Sequence, residues 1–151
     1  MARVDFYVIG GNGESSRQHF ACRLAEKAYR QQNTVHIQVP NDQLAQRLDE
    51  LLWTFRDGSF LPHGIVESRR QEANAAVTIV VAAGDPAAEP SLTEPKGADL
   101  LINLTESIPV DIDSFPRVAE IVTSDDDSLA RSRKNFVDYR AAGHTLESHN
   151  I

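Results

Sequence analysis

Residues 4–40 read VDFYVIGGNGESSRQHFACRLAEKAYRQQNTVHIQVP, and this stretch decides the fold. Val4 to Ile9 are rich in β-branched and aromatic side chains and run into Gly10-Gly11-Asn12-Gly13, a loop with turn chemistry. Ser15 or Ser16 then offers a side-chain oxygen to cap the first amides of a helix. Between Arg17 and Gln31, Phe20, Leu24 and Ala28 recur every fourth residue with Ala21 and Ala25 beside them, which is the spacing of one apolar stripe. Thr34 to Val39 is a second strand, closed by Pro40. Strand, helix and strand in this order need a crossover between parallel strands, so the expectation is a parallel sheet covered by helices.

The same alternation continues downstream. Asn41 or Asp42 caps a second helix with apolar positions at Leu44, Leu48, Leu51 and Leu52. Residues 57–76 show no clear period, whereas Val77 to Ala82 (VTIVVA) form the unbroken apolar run of a strand buried on both faces. Residues 84–97 hold Pro86, Pro90 and Pro95 and read as an exposed loop. Leu100 to Leu104 is a further buried strand, Ser114 begins a short helical turn, and Val118 to Val122 form one more strand. A last helix runs from about Asp126 to Ala142. Ser124 or Asp125 caps it, the Asp125-Asp126-Asp127 run suits the positive end of its dipole, and Gly143 stops it. The expected architecture is α/β: a three-layer α/β/α domain on a mostly parallel, Rossmann-like sheet over residues 1–146, with 147–151 as a frayed tail.

Composition narrows the function classes. At 151 residues, with 41% hydrophobic and 25% charged, the chain fits one domain around one core. No apolar run approaches the roughly 20 residues that span a bilayer, so no membrane association is expected. The opening MARVDFYVIGG lacks the longer apolar stretch and cleavage site of a signal peptide, which makes the cytoplasm the expected compartment. A single cysteine, Cys22, excludes an internal disulfide and a cysteine-based zinc cluster. The net charge of -7 argues against a broad basic footprint for DNA, so a nucleic-acid role would run through protein partners or a local basic patch.

No catalytic constellation is legible. Gly10 to Gly13 stand where a doubly wound fold cradles phosphate, and a small nucleotide- or cofactor-binding domain using this loop is the competing reading. However, GGNGESS is neither G-x-G-x-x-G nor a P-loop, and Glu14 puts negative charge at the phosphate position. His19, His36, His63, His144 and His149 lack metal-ligand spacing, Cys22 has no partner cysteine, and Ser59 and Ser107 lack a nucleophile elbow. The expectation is a non-catalytic chain without cofactor or metal.

Two segments stand out. Residues 48–63, LDELLWTFRDGSFLPH, gather Trp53, Phe55 and Phe60 around a helix end and an irregular loop, where they either close the core or anchor a partner. In the last helix, Leu129, Arg133, Phe136 and Arg140 share one face. A core-facing stripe should not carry two arginines, because an unpaired buried guanidinium is costly. That face therefore meets either water, with Phe136 turned inward beside Tyr139, or a partner that is both acidic and apolar.

Taken together, LDELLW (48–53), SFLPH (59–63), ADLLINL (98–104) and RSRKNFVDYRAAGHTL (131–146) resemble the chi subunit family of DNA polymerase III, and the likeness covers nearly the whole chain. The resemblance implies a non-catalytic accessory subunit associated with the clamp loader. It implies pairing with the psi subunit and binding of the acidic C-terminal tail of single-stranded-DNA-binding protein, with DNA contacted only indirectly. It assigns the tail site to Arg133, Phe136, Val137, Arg140 and Leu129, with Arg131 and Lys134 as nearby positive charge. Leu129 and Val137 stand where the family carries basic residues, so the grip is expected to be more apolar than the family pattern. The psi-facing positions are Trp53 and Phe60, with Leu61, Pro62 and His63 as neighbours.

Overall fold

A computed structural model of the chain describes residues 3–11, 13–54, 63–66, 76–81, 98–105, 108 and 115–150. Within them, β1 (Arg3–Val8) leads into α1 (Gly13–Arg30), followed by β2 (Val35–Val39), α2 (Asp42–Thr54), β3 (His63–Val66) and β4 (Val77–Val81). Then come β5 (Leu100–Asn103), β6 (Arg117–Val122), α3 (Asp126–Ala141) and β7 (Thr145–Asn150). All seven strands join one sheet in the order β3-β4-β2-β5-β6-β1-β7, and every pairing is parallel. Among the described residues no helix is long and apolar enough to cross a membrane.

Parallel strands are covered on both faces, and two apolar clusters do this here. On one face α1 and α2 bury Ala21, Cys22, Ala25, Leu48 and Leu52 against Val35, Ile37, Ile79 and Ile102. On the other, Tyr139 of α3 joins Val4, Phe6, Leu101, Phe115 and Val118. Each fully buried leucine of α2 contributes roughly 2 kcal/mol by leaving water.

Four details differ from the expectation. The stripe of α1 that meets the sheet is Ala21, Cys22, Ala25 and Ala28, while Phe20 and Leu24 are only partly buried on its flank. Small side chains let the helix lie close to the strands, and Phe20 packs sideways on Tyr7 with ring centroids 5.5 Å apart. The helix also starts at Gly13 (φ +82°), ahead of either serine. His63–Val66, within the stretch without a clear period, pairs with β4 as an edge strand.

The fourth difference concerns the C-terminus. Residues 147–150 do not fray; they form β7 with β1 in register Asp5↔Glu147 and Tyr7↔His149. The sequence TLESHN has no apolar alternation; besides the backbone ladder, Leu146 packs on the second cluster, the His149 ring stacks on Tyr7 at 5.1 Å, and charged groups meet across the strands. The buried Asp5 carboxylate accepts from Arg3 Nε (3.3 Å) and Arg117 (3.3 Å) and meets His149 Nε2 at 3.0 Å. Arg3 also bridges to Glu147 at 2.6 Å. Burial alone pushes the Asp5 carboxyl up, but the His149, Arg117 and Arg3 contacts together hold it below the usual carboxylate range. The expected turn at Ser114 and the loop at 84–97 lie outside the described residues.

Candidate functional site

The last helix is fixed at both ends. Asp125 is its N-cap and accepts from Ser128 N at 3.2 Å, while Thr123 donates its hydroxyl to the same carboxylate. At the C-terminus Gly143 (φ +91°) lets the chain turn into β7, with its amide donating to the Arg140 carbonyl at 3.1 Å.

Between these ends Tyr139 is the inward anchor. Its ring is fully buried edge-on to Phe6 at 6.0 Å, and its hydroxyl donates to Glu120 Oε1 at 2.6 Å. Asn103 donates to the same oxygen at 2.9 Å and accepts from the Thr105 amide and hydroxyl at 3.0 and 2.6 Å. Burial raises the Glu120 carboxyl to about 7, against the opposing pull of the Tyr139 and Asn103 hydrogen bonds and the Arg17 and Arg131 charges. The sequence signal for this network is a glutamate in the middle of an apolar strand, Val-Ala-Glu-Ile-Val at 118–122.

With Tyr139 inward, helical periodicity turns Arg133, Val137 and Arg140 outward. All three are exposed, Val137 at 63%. Phe136 and Leu129 sit at the margin: both are partly buried, and the Phe136 ring packs on Phe6 at 5.4 Å. Phe136 is thus turned inward, yet it leaves an apolar edge beside the arginines. Lys134 is exposed, and among the described residues neither it nor Arg133 nor Arg140 has an ion-pair partner. Arg131 lies apart from this face, in a cleft with Arg17 and Arg47.

The second segment forms a separate surface on the opposite side of the sheet. Trp53, in the last turn of α2, is 51% exposed. Its ring centroid is 4.6 Å from that of His63, whose enclosed imidazole meets Asp49 Oδ1 at 3.0 Å. Phe60, Leu61 and Pro62 lie outside the described residues. Among the described residues Trp53 and Val137 are the exposed large hydrophobic side chains, and each falls in one of the two segments singled out from sequence.

Other chemistry is weaker. The first amide of α1, Gly13 N, donates to the Asp125 carboxylate at 3.4 Å, so an acid already stands where the Gly10 to Gly13 loop would hold phosphate. A Cβ on Gly11 would lie 2.6 Å from Ser16 Oγ, and the Gly11 carbonyl accepts from Ser124 N at 3.0 Å, so the chain is closely packed at Gly11. Burial pushes the Cys22 thiol up to about 12, the state of an inert core cysteine. Asp5, Glu147 and His149 bring three donor atoms within 4.8 Å of one another, but Arg3 and Arg117 already neutralise these carboxylates.

Residues 1–147 match the family model described as DNA polymerase III chi subunit, HolC. The chain is 39% identical over 153 residues to DNA polymerase III subunit chi of Pseudomonas aeruginosa, covering 100% of this chain and 98% of that protein. It is 27% identical over 152 residues to the subunit of the same name from Escherichia coli, covering 98% and 97%. Among solved structures, T4 UvsW shares the fold with a TM-score of 0.66 at 8% identity, over 99% of this chain and 41% of that one. The chain belongs to the DNA polymerase III chi subunit family.

Proposed function

We propose that this chain acts in replication as a non-catalytic, clamp-loader-associated subunit with two docking surfaces. The outer face of α3 takes the acidic C-terminal tail of single-stranded-DNA-binding protein, and the Trp53–His63 surface takes the psi subunit. The observation that carries this reading is the composition of the α3 face: exposed Arg133 and Arg140 flank Val137, with the Phe136 edge alongside. An acidic peptide ending in an apolar residue satisfies both halves, guanidinium to carboxylate and side chain to apolar edge. The overall charge of -7 repels DNA, which favours contact with coated template through protein rather than phosphate.

Binding of this kind is expected to weaken as salt rises, since the arginines are solvent-exposed. Calorimetric titration with a synthetic tail peptide tests it. Arg133→Ala is expected to bind about tenfold more weakly than wild type, the loss of one charge-assisted contact. Equal affinity would rule out this face, and no binding by wild type would rule out tail capture itself.

The two surfaces lie on opposite faces of the sheet, so occupation of one does not block the other. Trp53→Ala is expected to weaken psi binding by about thirtyfold, the effect of truncating an interface anchor by about 2 kcal/mol, while tail affinity stays unchanged. Immobilised psi and the tail peptide, each measured against wild type and variant, check both halves.

A further inference from the structure

A cleft at the carboxyl ends of β2 and β5 gathers positive charge that the tail and psi surfaces do not use. Its volume is about 340 Å³, and Arg17, Arg47 and Arg131 line it from α1, α2 and α3. Among the described residues that line it, three are arginines and one is an acid, Glu14, in a protein whose net charge is strongly negative. Arg17 is the decisive member. It is only 6% exposed; one terminal nitrogen pairs with Glu14 at 3.2 Å, and the other donates to the Thr105 carbonyl at a long 3.4 Å. Its Nε is buried without an acceptor. A buried guanidinium donor left unsatisfied is costly, which leaves Arg17 short of one acceptor beside the cleft.

The walls indicate what kind of anion fits. Asn41 and Gln43 add neutral hydrogen-bonding groups, and Leu44 and Leu104 add apolar surface beside the arginines. Guanidiniums arriving from three helices suit a tetrahedral group with several oxygens better than a planar carboxylate, which one arginine already satisfies bidentately. The volume lies in the range of small-ligand sites, roughly 300–1,000 Å³. Open parallel sheets also place ligands outside the carboxyl ends of their strands.

We propose that Arg17, Arg47 and Arg131 form a binding site for a phosphate monoester of mononucleotide size, separate from the Gly10 to Gly13 turn and from the outer α3 face. The phosphate lies among the guanidiniums, and the apolar part of the ligand lies against Leu44 and Leu104.

The test is a nitrogen-15 NMR titration of the full chain with AMP, inorganic phosphate and adenosine in parallel. AMP is expected to shift the Nε–H signals of Arg17, Arg47 and Arg131 and the amides of residues 41–44. Phosphate should act at the same arginines more weakly, and adenosine should do nothing. Arg47 is exposed, so Arg47→Ala should keep the wild-type spectrum elsewhere while weakening AMP binding about tenfold. The proposal is overturned by no response to AMP, by a response equal for adenosine, by one centred on Arg133 and Arg140, or by one unchanged in Arg47→Ala. Equal affinity for phosphate and AMP would overturn the assignment to an ester.

Discussion

Truncating Tyr139 to alanine is expected to cost about 4 kcal/mol of folding stability, a large share of what a domain of this size has. Two effects add. The fully buried ring fills the space between α3 and Phe6, so its loss leaves a cavity in the second cluster. The hydroxyl and the Asn103 amide both donate to the buried Glu120 carboxyl, so loss of the hydroxyl also strips a buried acid of a partner. Tyr139→Phe separates the two, since it keeps the packing and removes the donor; it should cost about 1–2 kcal/mol. Urea denaturation of the three proteins measures this. A loss below about 1 kcal/mol for the alanine variant would mean that α3 is not anchored through this residue. The same helix carries Arg133 and Arg140, so Tyr139→Ala should also weaken tail binding without touching the peptide.

The second large effect is a pH dependence owed to Glu120. Its carboxyl is raised from an ordinary 4.5 to about 7 in the folded chain, chiefly by burial. The folded state therefore binds this proton more tightly than the unfolded state. Below about pH 4.5 both states are protonated and the group is neutral in effect; as pH rises toward 7, folding increasingly opposes ionisation and stability falls. At about 1.4 kcal/mol per pKa unit, the loss across this window is about 3 kcal/mol. Glu120→Gln keeps an acceptor for Tyr139 and Asn103 but cannot ionise. Its stability relative to wild type should rise by about 2–3 kcal/mol between about pH 5 and pH 8, with the variant at least as stable as wild type at the upper end. Parallel urea midpoints for both proteins check this, and identical pH slopes would exclude Glu120 as the source. Tyr139→Phe should cost more at the upper pH, because the lost donor then served an ion.

How much of this was legible depended on whether the signal was local. Asn41 caps α2 through its Oδ1 to Leu44 N at 2.8 Å, and Asp125 caps α3, both as turn and cap chemistry predicts. The runs at 77–81 and 100–103 are buried strands because unbroken β-branched and leucine stretches fit a sheet covered on both faces. By contrast, β7 carries no periodic apolar signal; beside its backbone pairing and Leu146, it is held by the His149–Asp5 and Arg3–Glu147 contacts, which join residues more than 100 positions apart. Likewise the α1 stripe centres on small residues beside the larger ones, because helix-to-sheet distance is a tertiary quantity.

The candidate site divides in the same way. The parallel α/β order and the outward arginines of the last helix were readable from periodicity and from the cost of burying an unpaired charge, and the family from the motifs at 48–63, 98–104 and 131–146; whether Trp53 closes the core or faces out was not. Tertiary packing alone brings Phe136 onto Phe6, Glu120 to Tyr139 beneath α3, and Arg17, Arg47 and Arg131 into one cleft. The physical reason is that hydrogen bonds and field strengths in a low-dielectric interior depend on which distant side chains are brought together, and no spacing along the chain encodes that distance.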